Sequence, residues 1–121
     1  MQKHLTVVGE RASGKTRALI DMAIDEARSG GNVWFQSRDH ATGRSTMKMT
    51  VDRIRELDSG LINRVTGLNG HSRILFANGA IIDFDGGVFW KIGKPVSLHV
   101  MDEVSSEPYP MARRSVRAVL R

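Results

Sequence analysis

The stretch Leu5-Thr6-Val7-Val8-Gly9-Glu10-Arg11-Ala12-Ser13-Gly14-Lys15-Thr16 decides how this chain is read. From Gly9 onward it fits the pattern G-x-x-x-x-G-K-[S/T] in full. It follows a short apolar run, His4 to Val8, and opens a helical pattern. The residue types have chemical reasons. The two glycines let the backbone curl so that successive N–H groups point at phosphate oxygens. A helix starting at Lys15 turns its N-terminal partial positive charge on the same anion. Lys15 reaches the β- and γ-phosphates as a point charge, and the Thr16 hydroxyl is a ligand for Mg²⁺. The expected binding set is Gly9, Glu10, Arg11, Ala12, Ser13, Gly14, Lys15, Thr16 and Arg17.

Outward from this loop, Ala18, Leu19, Met22, Ala23 and Ala27 recur at helical spacing, predicting a helix from Lys15 to about Arg28. Ser29-Gly30-Gly31 stops it, and Asn32 to Gln36 reads as a second strand. Ser37 to Gly43 reads as a polar loop. Met47, Val51 and Ile54 predict a second helix from about Ser45 to Leu57. Ile62 to Ser72 carries no decisive pattern. Asn78-Gly79 between the β-type runs Arg73–Ala77 and Ala80–Phe84 predicts a tight hairpin, because both turn residues need positive φ. Val96 to Met101 predicts a buried strand opened by Pro95. Pro110 to Arg121 reads as a basic helix with Arg113 or Arg114, Arg117 and Arg121 on one face. That face suits an arginine finger to a neighbouring site, phosphate contact with DNA, or plain solvation. Strand–helix–strand–helix order predicts an α/β domain spanning residues 1–121, with a mainly parallel sheet and the hairpin inserted in it.

The last apolar strand ends in Val100-Met101-Asp102-Glu103. An acid at the tip of a buried strand beside a phosphate loop suits holding Mg²⁺ through a water. A second acid directly after it can polarise an attacking water. Asp102 and Glu103 are expected in those two roles. Asp39, Asp83 and Asp85 are poorer candidates, since none follows a fully apolar strand.

Composition bounds the reading. The 121 residues form one domain of ordinary globular composition, 40% apolar and 26% charged. Absence of cysteine excludes a disulfide framework and Cys-based zinc sites. His4, His40, His71 and His99 show no metal-ligand spacing, and His99 is expected as an interior, hydrogen-bonded residue. No apolar run approaches the roughly 20 residues needed to span a bilayer. With no signal-peptide pattern at Met1 to His4, the expected place of work is the cytoplasm, the host's if the chain is phage-encoded. Lys and Arg total 18 against 13 Asp and Glu, a balance that favours an anionic partner such as nucleic acid. Arg38, Arg44, Lys48, Arg53 and Arg55 suggest a DNA track, although Asp39, Asp52 and Glu56 interrupt it. Trp34 and Phe35 fit core packing better than base stacking.

The loop Gly9-x-Arg11-x-Ser13-Gly14-Lys15-Thr16 resembles that of the large-terminase ATPases of tailed phages, the DNA-packaging motors. The hairpin Arg73 to Phe84 resembles the one those proteins place before the acidic strand, and Val96 to Glu103 resembles that strand itself. This likeness covers Leu5 to Glu103. The resemblance implies the additional-strand catalytic-glutamate class of P-loop NTPases, hence a three-layer α/β fold in minimal form. It implies ATP and Mg²⁺ as ligands, Glu103 and Lys15 as catalytic groups, and Arg11 as a cation at the γ-phosphate. Double-stranded DNA is then the expected second ligand. Only 18 residues follow Glu103, so no room is expected for the usual sensor strand or coupling motif. The exposed sheet edge of so short a domain is expected to draw in a second copy or a partner subunit. Two other readings use the same loop: a nucleotide-binding assembly module with slow or no turnover, and a small P-loop kinase.

Overall fold

The computed structural model describes residues 3–9, 14–67, 72–87, 89 and 93–120. In chain order the elements are β1 (Lys3–Gly9), α1 (Lys15–Arg28), β2 (Val33–Gln36), α2 (His40–Asp58), a short 3₁₀ turn (Ser59–Leu61), β3 (Ile62–Thr66), β4 (Arg73–Phe76), β5 (Ile81–Asp83), β6 (Leu98–Asp102) and β7 (Arg114–Leu120). They build one seven-stranded sheet in the order β1-β7-β6-β2-β5-β4-β3. Strands β1, β7, β6, β2 and β5 run parallel, and β5-β4-β3 form an antiparallel meander at the far end. After β1 the chain crosses over through α1 and lands three places away in β2. The later strands β6 and β7 fill the gap, so the first and last strands lie side by side.

Both helices bury their apolar stripes in one core on one sheet face. Leu19, Ile20, Ala23, Ile24 and Ala27 of α1 and Val51 and Ile54 of α2 meet Val33, Phe35, Ile74, Phe76, Ile82, Phe84, Leu98, Val100, Val116 and Ala118. The rings of Phe35 and Phe84 lie 5.4 Å apart. On the other face, Trp34, Leu75 and Ile81 are covered by Phe89, Val96, Tyr109 and Ala112 from the connecting segments. Among the described residues, α1 and α2 lie on one face, and segments that include the helical residues Gly87 and Phe89 cover the other.

The hairpin is present, but of its two turn residues only Gly79, and not Asn78, takes a positive φ. Gly79 takes φ 90°, and β4 pairs β5 antiparallel across the turn. Asn78 ties the turn to α1 by donating to the Ala27 carbonyl at 2.9 Å. Helix α2 starts five residues earlier than its apolar spacing predicts, because Asp39 caps it by accepting from the Thr42 amide at 2.7 Å. Ile62–Thr66, which carried no decisive pattern, is the edge strand β3.

The C-terminal segment corrects a second expectation. Arg114–Leu120 is an interior strand, not a basic helix. Arginines three or four apart imitate helical spacing, but Val116 and Ala118 bury at a period of two. Neighbours on both sides complete the ladder of β7, which decides the conformation. The segment after Glu103 therefore does hold a further strand. Within β7, Arg114 and Arg117 point to opposite faces. Arg114 pairs with Glu26, Arg117 donates to the carbonyls of Val104 and Ser106, Arg113 is exposed, and Arg121 lies outside the described residues. The basic helix face, with its finger and DNA readings, is withdrawn. At the outer edge of the sheet, Leu5 and Val8 of β1 are half exposed. Among the described residues no helix is long and apolar enough to cross a membrane.

Asp83, at the tip of β5, is buried and accepts from the backbone amides of Asp85 and Gly86. Burial, reinforced by its bond to the Asp85 side chain, pushes its carboxyl up to about 6. A raised folded-state value means that the stabilisation is complete below the ordinary carboxylate range and is lost as pH rises through about 6. Asn can accept the same two amides without ionising. The unfolding free energy of Asp83→Asn, measured against the parent by denaturant titration, should therefore improve between about pH 4 and about pH 7. A difference that stays constant across this window contradicts the burial of an ionising group there.

Candidate active site

The alternation of β6 places Leu98, Val100 and Asp102 on the face that α1 covers. Asp102 therefore meets the first turn of α1. The Thr16 hydroxyl donates to Asp102 Oδ2 at 3.0 Å, across 86 residues of sequence. Gly14 stands before α1 with φ 88°, a left-handed turn that suits glycine and leaves no side chain at the helix cap. Lys15 is buried, and its Nζ donates to Glu103 Oε1 at 3.0 Å.

Glu103 departs from strand geometry, with φ at 57°. Its amide still donates to the Ala118 carbonyl at 2.9 Å, so β7 holds the backbone where the alternation breaks. The kink brings the carboxylate back over Lys15. On its other oxygen, Oε2, the guanidinium of Arg38 lies 4.0 Å away. The Asp102 carboxyl is pushed up by burial and by the Glu103 charge, against the lowering effect of the Thr16 hydrogen bond, Lys15 and Arg38.

Behind this cluster the segment after Glu103 is pinned to the sheet. The Tyr109 amide donates to His99 Nδ1 at 2.9 Å, so Nε2 carries the proton and donates to Gln36 Oε1 at 2.9 Å. The Ser106 hydroxyl donates to the same Gln36 oxygen at 3.0 Å, and Trp34 stacks on the His99 ring at 4.2 Å. Burial, with the Arg117 charge adding, pushes His99 down to about 4, which keeps the imidazole neutral. His99 is thus the interior, hydrogen-bonded histidine expected from the strand pattern.

The structure brings Gly14, Lys15, Thr16, Asp102 and Glu103 to one end of the sheet. Gly9 ends β1 at the same end, and Arg17 sits exposed in the first turn of α1. Glu10, Arg11, Ala12 and Ser13 lie outside the described residues, and so does the expected γ-phosphate role of Arg11. Arg38 is the residue that sequence patterning assigned elsewhere, to a basic track. The signal lay in register: β2 pairs β6 with Gln36 opposite Met101, so two residues further on Arg38 faces Glu103.

Asp102 at the strand tip and Thr16 in the first turn of α1 place a carboxylate and a hydroxyl, both hard oxygen donors that could hold a divalent cation, side by side. Among the described residues no group of three or more His, Cys, Asp or Glu could cage a metal by itself. Comparison with protein-family models, with curated proteins and with solved structures finds no match for this chain.

The kink at Glu103 has a measurable cost. A non-glycine residue at positive φ carries about 1 kcal/mol of strain that glycine avoids. Glu103→Gly should therefore be more stable than Glu103→Ala by about 1 kcal/mol in chemical denaturation, since both lose the carboxylate. Equal stability, or a more stable alanine variant, contradicts the left-handed backbone at this position.

Proposed function

We propose that the chain binds ATP with Mg²⁺ and hydrolyses it, as a P-loop NTPase of the additional-strand catalytic-glutamate class. One observation carries the reading. Lys15 and Thr16 on the loop side, and Asp102 and Glu103 on the strand side, stand in direct 3.0 Å contact although 86 to 88 residues separate them. The position of β7 between β1 and β6, with Glu103 after the tip of β6, supports that class.

In this reading the backbone from Gly9 to Thr16 cradles the phosphates, and Lys15 leaves Glu103 to hold the β- and γ-oxygens. The Thr16 hydroxyl and the Asp102 carboxylate hold the metal. When bound, Mg²⁺ neutralises charge on the transferring phosphoryl group. Glu103, relieved of Lys15, accepts a hydrogen bond from water and orients it in line with the γ-phosphorus. Double-stranded DNA is the second ligand this reading favours, in the manner of a DNA-packaging motor. Arg44, Lys48 and Arg55 support it, since they lie exposed within one narrow stripe of α2 and the net charge is +5. The outer edge of β1, with Leu5 and Val8 exposed, favours assembly with a second copy or a partner subunit.

Release of phosphate from Mg²⁺–ATP, with no acceptor added, tests the enzyme. Glu103→Gln should lower turnover about 100-fold or more while nucleotide still binds. Lys15→Ala should lose both binding and turnover. Parental turnover in Glu103→Gln would favour a binding module instead, and phosphate release that requires an acceptor would favour a kinase.

A further inference from the structure

Two consecutive residues of β7 hold the chain around the kink at Glu103. The Ala118 carbonyl accepts the Glu103 amide at 2.9 Å. The Arg117 side chain takes the residues that follow: one terminal nitrogen of its guanidinium donates to the Val104 carbonyl and the other to the Ser106 carbonyl. Register explains the reach. Met101 lies opposite Arg117 and Asp102 opposite Ala118, so Arg117 stands on the sheet face away from α1, where the segment leaving β6 crosses it. β6 ends at Asp102, so neither carbonyl belongs to the β-ladder. A planar guanidinium fork suits two carbonyls set two residues apart, and an ammonium lacks that fork. The backbone gives the clamp a purpose. Glu103 takes φ 57°, and a non-glycine residue persists there only where its surroundings over-determine it. Ala118 fixes the near side of the kink and Arg117 the far side.

We propose that Arg117 is a positioning residue for Glu103: by gripping the Val104 and Ser106 carbonyls it keeps the kinked backbone that aims the Glu103 carboxylate at the phosphate site. This rests on the nucleotide reading of the site and adds a residue to it. Lys15 and Thr16 stand on α1 and Asp102 within β6, outside the clamped segment. Loss of the clamp therefore leaves the groups that would hold phosphate and Mg²⁺ in place. Glu103 relaxes towards ordinary φ, and its carboxylate leaves the line of attack. Arg117 thus acts within its own chain and through the backbone, without touching the nucleotide.

The test compares the parent, Arg117→Met, Arg117→Lys, Glu103→Gln and the double variant Arg117→Met with Glu103→Gln. In the apoprotein, amide hydrogen exchange over residues 103–109 should quicken in Arg117→Met, while α1 and β2 keep parental protection. Binding of Mg²⁺ with a non-hydrolysable ATP analogue should stay close to parental. Turnover of Mg²⁺–ATP should lose on the order of 100-fold in kcat, the cost of misplacing a reacting group by about 1 Å. In the Glu103→Gln background the same substitution should change kcat little, because the carboxylate it acts through is already gone. Arg117→Lys keeps the charge without the fork, and its kcat should fall between those of Arg117→Met and the parent. Equal losses of kcat in both backgrounds, or a loss carried by binding instead of kcat, overturn the proposal. Parental exchange over residues 103–109 overturns it as well. Should Arg117→Met not fold, Arg117→Lys decides in its place, and parental kcat there overturns the proposal. If the parent turns over ATP and the Arg117 variants match it, only the role of Arg117 falls. If the parent releases no phosphate, the enzyme reading falls, and this proposal with it.

Discussion

Two contacts of 3.0 Å, Thr16 to Asp102 and Lys15 to Glu103, join the first turn of α1 to the tip of β6. The rest of the fold serves to make them. β1 delivers the chain to Gly9, and α1 leaves from Gly14 across the sheet. Leu19, Ile20, Ala23 and Ile24 seat α1 over β6 and β2. β7 fixes the spacing, because two strand steps set β1 and β6 about 10 Å apart. That distance lets a side chain from the loop reach the acids without the two backbones colliding. The hydrogen bond from the Glu103 amide to Ala118 shows β7 acting at the site itself.

The contacts are also a charge arrangement waiting for a competitor. Lys15 is buried, and a buried cation is costly unless paired. Glu103 supplies the partner at the expense of a left-handed backbone. In the proposed reading a triphosphate would carry more charge to the same place and free Glu103. Strain, pairing and release then belong to one process. Behind the contacts, His99, Gln36, Ser106 and Arg117 pin the segment after Glu103 to the sheet.

Much of this was legible in the sequence for physical reasons. The loop motif, the acidic strand tip and the Asn78-Gly79 turn are local, so their chemistry reads directly from neighbouring residues. Asp102 and Glu103 stood out because the strand before them is apolar. What failed depended on distant partners. β7 looked helical because its arginines recur every three or four residues, and only the ladders to β1 and β6 fix it as a strand. The start of α2 was hidden because Gly43 resembles a breaker, whereas it lies inside the helix, packed toward Phe84 at ordinary contact distance. Arg38 joined a basic tract in sequence, but sheet register put it beside Glu103.

The most direct measurement compares thermal unfolding in Mg²⁺ with ATP against Mg²⁺ with adenosine. Both ligands carry the same base and sugar, and only one carries phosphates. The account predicts that ATP stabilises the protein, by about 2.7 kcal/mol at roughly a hundred times its Kd, and that adenosine does not. Stabilisation by adenosine alone, or none by ATP, would contradict a site built around Lys15.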